Sequence, residues 1–158
     1  MAKGGTYQFR PKTLDHISFA VKDIGKVIEA WSSMFGMGPW TFRDGEGTDV
    51  EGHSWKGRFA YTFLGPVEIE LIQPVEGKML QSDLLETWGE GVHHLGFLVD
   101  DVEKEIANLT AQGAKLLLNS EGYWAYLDPK VPGGLVLELM SREWLAKRRR
   151  HLVKEWKK

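Results

Sequence analysis

The 158-residue sequence contains no cysteine. That excludes disulfide staples, a thiolate nucleophile and a zinc site built on sulfur, and it suits a reducing compartment. No apolar run reaches membrane-spanning length, and the opening MAKGGTYQFRPK has no apolar signal-peptide core. A cytoplasmic location is therefore expected, with no membrane partner. An excess of either charge is missing too. Lys and Arg number 20 against 22 Asp and Glu, a formal net charge of −2, so bulk charge gives no reason to expect nucleic acid. What is present is an ordinary globular mixture, 42% apolar and 27% charged, in a chain long enough to bury one core. Charge is uneven only at the tail SREWLAKRRRHLVKEWKK, where Arg142, Lys147, Arg148, Arg149, Arg150, Lys154, Lys157 and Lys158 face Glu143 and Glu155. A basic helix is expected over about 142–158, anchored by Trp144, Leu145, Leu152 and Trp156.

The sequence repeats itself. LDHISFAVKDIGKVIEAW (14–31) aligns with VHHLGFLVDDVEKEIANL (92–109) at an offset of 78, so His16 falls on His94 and Asp23 on Asp101. GPVEIELIQP (65–74) aligns with GGLVLELMSR (133–142) at an offset of 68, so Glu70 falls on Glu138. Each half reads as an alternating strand, an Asp-capped helix stopped by Gly36 or Gly113, and three further strands. The expected strands are 40–44, 57–64 and 67–73, then 114–118, 123–128 and 135–140. The expected architecture is α+β: two tandem βαβββ modules, about 12–74 and 92–141, forming one curved, barrel-like mixed sheet. A linker at about 75–91 joins them, with a short helix near 79–88.

Strand alternation puts His16 and His94 on the face opposite the apolar residues that pack under the helices. It points their neighbours Asp15 and His93 the other way. Glu70 and Glu138 stand inside apolar strands, VEIELI and LVLELM, and share the parity of the two histidines. A carboxylate in such company is costly unless paired or coordinated. A pseudo-twofold between the halves would gather His16, Glu70, His94 and Glu138. Two imidazoles and two carboxylates form a ligand set for a divalent metal such as Co, Mn, Ni, Zn or Fe, with places left for water or a bidentate substrate.

The segments DHISFAVKD, VEIELIQP, HHLGFLVDDV and GGLVLELM, in this order, resemble the vicinal oxygen chelate superfamily (glyoxalase I, methylmalonyl-CoA epimerase, extradiol dioxygenases, fosfomycin and bleomycin resistance proteins) over about residues 12–141. The resemblance implies a metal held by His16, Glu70, His94 and Glu138, and a homodimer. The short chain, ELIQP and GVHHLGFLVDDV are most similar to methylmalonyl-CoA epimerase. That likeness implies a small-molecule substrate of the acyl-CoA kind and proton abstraction next to its carbonyl. Glu138 is then ligand and base, and Glu51 the acid or base on the opposite face, with Glu46 and His53 as rivals within DGEGTDVEGHSWKG. Phosphates of such a ligand would suit the basic tail. Two other outcomes stay open: a glyoxalase I-like lyase or extradiol-type dioxygenase, and a non-catalytic drug-binding protein. Trp40, Trp55, Tyr61, Trp88 and Trp124 are candidates for a pocket, though packing is the commoner role of such rings.

Overall fold

A computed structural model describes Phe9, Pro11, residues 13–49 and residues 51–154. The first half runs β1 (Thr13–Ala20), α1 (Ile24–Phe35), β2 (Thr41–Thr48), β3 (Ser54–Leu64) and β4 (Val67–Glu76). After α2 (Leu80–Thr87) the order repeats: β5 (Gly91–Leu98), α3 (Val102–Ala111), β6 (Lys115–Ser120), β7 (Trp124–Asp128) and β8 (Val136–Met140), followed by α4 (Arg142–Arg150). All eight strands form one curled sheet in the order β2-β3-β4-β1-β5-β8-β7-β6. The order is symmetric about the β1–β5 seam. Each first strand lies parallel to the last strand of its own half, β1 with β4 and β5 with β8, and the two first strands meet antiparallel.

Local chemistry starts and stops the helices. The carboxylates of Asp23 and Asp101 accept from the backbone N–H groups of Lys26 (3.1 Å) and Lys104 (3.0 Å). Gly36 ends α1 in the left-handed region (φ 66°), and its N–H bonds back to Ser32 and Trp31 carbonyls. The apolar stripes of these helices pack on the outer face of the sheet. Under α1 lie Val21, Ile24, Trp40, Ala60 and Leu71. Under α3, Val102, Ile106 and Leu109 meet Ala125, Leu127 and Leu139. Because strand side chains alternate, the residues next to Leu71 and Leu139, namely Glu70 and Glu138, turn to the inner, concave face.

The tail differs from the expectation. The helix ends at Arg150, and His151 caps it. The chain then runs antiparallel to β2, with Phe42 N–H donating to Val153 O (2.7 Å) and Val153 N–H to Phe42 O (2.9 Å). Trp156 lies outside the described residues. The tail therefore crosses the concave face from β7, where Trp144 meets Tyr123 and Trp124, to the β2 edge. On the way Leu152 joins the buried group Phe59, Tyr61, Ile72 and Met79. Among the described residues no helix is long and apolar enough to cross a membrane.

Candidate metal centre

The register of the four central strands builds the site. His16 on β1 pairs with Gly96 on β5, and Gly96 pairs in turn with Glu138 on β8. Symmetrically, His94 on β5 pairs with Ser18 on β1, and Ser18 pairs with Glu70 on β4. Each half thus sets a small residue beside the other half's imidazole. A side chain at Gly96 would collide with the His16 ring itself, since the three nearest heavy atoms to its Cβ position all belong to that ring.

His16, Glu70 and His94 bring one donor atom each within 4.8 Å of one another, and Glu138 stands against both imidazoles. His16 Nε2 lies 3.1 Å from His94 Nε2, 2.9 Å from Glu138 Oε2 and 3.7 Å from Glu70 Oε2. His94 Nε2 is 3.2 Å from Glu138 Oε2 and 3.5 Å from Glu70 Oε2. Ligands about 2.1 Å from one cation stand about 3.0 Å apart at right angles and about 3.4 Å apart at a tetrahedral angle. The separations among His16, His94 and Glu138 are of that size, and Glu70 Oε2 stands slightly farther from both imidazoles. Both imidazoles are wholly buried, Glu70 and Glu138 nearly so, and Glu70 Oε2 accepts no hydrogen bond from any described group. A buried carboxylate oxygen facing two imidazole nitrogens, without a donor of its own, fits a cation held among these residues.

Burial alone would push the His16 pKa down, but hydrogen bonds to Asp15 and Glu138, reinforced by the charge of Glu70, raise it to about 10. Burial would raise Glu138, and the hydrogen bonds from His16 and His94 outweigh it, holding this carboxyl well below the usual range. Glu70 also lies low: the charges of His16 and Arg148 overcome its burial. In the protein alone the acids therefore keep a proton on His16, and a cation at the centre would take that proton's place.

The groups behind the imidazoles were expected to point away and do not. The β1–β5 ladder slips once between Leu14 and His16, leaving Asp15 as the extra residue, and once between Ser18 and Phe19, opposite the extra residue His93. Each bulge turns the residue before an imidazole back toward it. Asp15 Oδ2 accepts from His16 Nδ1 at 3.1 Å, and His93 Nδ1 lies 2.9 Å from His94 Nδ1. Burial first, then the neighbouring His94, lowers the His93 pKa to about 4, so His93 stays neutral and can accept a hydrogen bond from His94 Nδ1–H. Both arrangements leave Nε2 to face the centre, as an outer partner of a metal-ligating histidine does.

Other candidates lie elsewhere. Glu51 sits in the β2–β3 turn, 76% exposed, with His53 Nδ1 3.6 Å away, outside the buried cluster. Glu46 is exposed on β2. Trp40 packs under α1, Trp55 beside Phe59 and Met79, and Trp88 is 83% exposed. Tyr61 and Trp124 do reach the concave face, against Arg148 and Trp144. The basic tail is in part turned inward: Arg148 is buried among Asp15, Glu68 and Glu70. Glu68 and Gly96 were not singled out from sequence, Asp15 and His93 were assigned to the other face, and Arg148 was read only as part of the basic tail. Asp15 and His93 had a signal in their matched positions before the imidazoles, and Glu68 in sharing the strand parity of Glu70.

Comparison with known proteins agrees with this architecture. An uncharacterised protein, YqjC, of Bacillus subtilis is 26% identical over 133 residues, which is 80% of this chain and 89% of that one. A hypothetical protein of Bacillus halodurans superposes with a TM-score of 0.62 at 24% identity, covering 82% of this chain and 94% of its own. Methylmalonyl-CoA epimerase from Mycobacterium tuberculosis gives 0.62 at 23% identity, with 83% and 88% covered. A single-substitution variant of the Streptomyces coelicolor methylmalonyl-CoA epimerase, solved with 2-nitronate-propionyl-CoA, gives 0.62 at 24%, with 84% and 98% covered. Residues 15–126 match the family described as glyoxalase/bleomycin resistance protein/dioxygenase. With its paired modules and the strands that carry the four side chains inside or beside that match, the chain belongs to the glyoxalase/bleomycin resistance protein/dioxygenase superfamily.

Proposed function

We propose that this chain is a divalent-metal-dependent enzyme that removes a proton from carbon next to a carbonyl, an epimerase or isomerase of acyl thioesters of the methylmalonyl-CoA kind. The observation that carries the reading is the buried grouping of His16, Glu70 and His94, with Glu138 against both imidazoles and Glu70 Oε2 left without a donor. These four residues would hold the cation. When bound, it supplies a Lewis acid that lowers the cost of negative charge developing on a substrate carbonyl oxygen.

The chain's own residues do the rest. Glu138, unprotonated at neutral pH, is placed to accept the substrate's α-proton. The walls, with Tyr61 fully buried and Tyr126 half-buried, limit the access of water and so strengthen electrostatic contacts there. A cavity of about 450 Å³ between α4 and β2 has Arg43, Asp44 and Lys147 in its wall, and the two cations suit an anionic substrate. Glu51, in solvent, has no role in this scheme. A second carboxylate beyond the two-histidine, one-carboxylate set disfavours dioxygenase chemistry. The intact donor set disfavours a drug-binding role, and the lyase alternative shares the same first proton transfer.

The protein loaded with Co(II) or Mn(II) is expected to exchange the α-proton of methylmalonyl-CoA, or of a related acyl thioester or 2-oxo acid, into deuterated water, as read by NMR. No exchange across that panel by protein carrying one cation per chain would reject the reading.

A further inference from the structure

We propose that Arg148, supplied by the carboxyl-terminal helix, is a positioning residue of the metal centre: it holds one oxygen of Glu70 so that the other faces the cation. The inference rests on the metal reading above.

The geometry divides Glu70 in two. Its Oε1 accepts from Arg148 Nη1 at 3.4 Å, while its Oε2 has no donor and faces the two imidazole Nε2 atoms. The other arm of the same guanidinium, Nη2, donates to Glu68 Oε1 and lies 3.6 Å from Asp15 Oδ2. A planar guanidinium sends its donors in fixed directions, which an ammonium cannot do, so one side chain here ties β4 to β1. Its neighbour extends the clasp. Arg149 Nη2 donates to Asp15 Oδ1 at 3.2 Å, and the other oxygen of Asp15 holds His16 Nδ1. Helix α4 thus grips both ligands of the first half, Glu70 directly and His16 through Asp15.

Burial makes this more than a surface ion pair. Arg148 is 5% exposed and stacks over the Tyr61 ring at 5.2 Å. Burying a guanidinium is costly unless its acids are well placed. The charges match in two layers. Asp15 and Glu68 are answered by Arg148 and Arg149, and Glu70 and Glu138 by a divalent cation at the centre. Asp15, His16 and Glu68 also bring donor atoms together, but Arg148 already stands among them. Direct repulsion between Arg148 and the cation opposes the proposal. Glu68 and Asp15, close against the guanidinium, oppose its field at the centre.

The test is titration of the full chain with Co(II), followed by calorimetry and by the visible d–d absorption of the saturated protein, for native, Arg148→Lys and Arg148→Gln. Positioning predicts that both variants lose about 10- to 100-fold in affinity and that their spectra change, because neither replacement can span Glu70 and Glu68 at fixed angles. If Arg148 acted through charge alone, Arg148→Lys would match the native protein and Arg148→Gln would bind more tightly; either result overturns the proposal. Should thermal melting show Arg148→Gln unfolded, Arg148→Gln with Glu68→Gln removes equal and opposite charges and carries the same prediction. Native-like affinity and spectrum in the folded variants overturn this inference alone. Failure of the native protein to bind Co(II) overturns the metal reading and this inference with it.

Discussion

Glu138→Gln, saturated with the same cation as the native protein, is expected to exchange the substrate α-proton about 10²- to 10⁴-fold more slowly. Glutamine keeps the shape of the side chain and an oxygen that can face His16 and His94, so the variant should fold and still bind a cation, more weakly. What it loses is the ability to take up a proton. The environment of Glu138 makes this loss decisive. Hydrogen bonds from both imidazoles overcome burial and hold the carboxyl low, so it is always ready to accept a proton but is a weak base. A weak base can ionise a carbon acid only where the carbonyl oxygen is strongly polarised, which is the demand that a cation beside Glu138 would meet. Exchange by the cation-saturated glutamine variant at the native rate would remove Glu138 from this role.

The second large effect is expected from a single methyl group. Gly96→Ala should lower divalent-cation affinity at least about 100-fold and destabilise the fold by about 1–3 kcal/mol. The new Cβ would fall on the His16 ring. That ring has nowhere to go, being wholly buried and held at Nδ1 by Asp15. Backbone strain does not confuse the outcome, because Gly96 sits in ordinary strand conformation within β5. The same strand offers a control. Gly91 has open space where a Cβ would stand, so Gly91→Ala should bind cation and melt as the native protein does. Cobalt titration and urea denaturation of both variants check this. Native-like binding by Gly96→Ala would mean that the His16 ring position does not matter to the site.

The repeated strand–helix pattern was legible because matched residues had to satisfy the same packing twice. The 78-residue offset that aligned His16 with His94 also aligned the capping residues Asp23 and Asp101, and both pairs occupy equivalent places in the fold. The β2–β3 ribbon was harder. Its tip, DGEGTDVEGHS, reads as a loop, yet β2 continues to Thr48 and β3 begins at Ser54. Rings from β3 explain this: Phe59 lies across Gly45 and Trp55 across Gly47, within 2.7 and 2.6 Å of where a Cβ would be. Cross-strand aromatics thus cover glycines that would otherwise weaken a strand.

The centre was legible as far as side-chain parity reaches. The bulges at Asp15 and His93 break that parity, and period-two reasoning has no way to place an extra residue. Arg148 was hidden for another reason. Within KRRR each arginine has the same composition around it, and the helix face decides which one turns inward. A trace of that choice is present: Arg148 stands three residues after Leu145, and these two are the buried positions of the helix. Glu51 shows the opposite pattern. An acidic turn suggested chemistry where the fold supplies a solvated hairpin end.

The most direct measurement of the central claim is an anomalous-scattering map from crystals of the full chain grown with Co(II). The account predicts one strong peak among His16 Nε2, His94 Nε2, Glu70 Oε2 and Glu138 Oε2, about 2.0–2.2 Å from each. A map without a peak there, or with cobalt bound only at surface carboxylates, would contradict it.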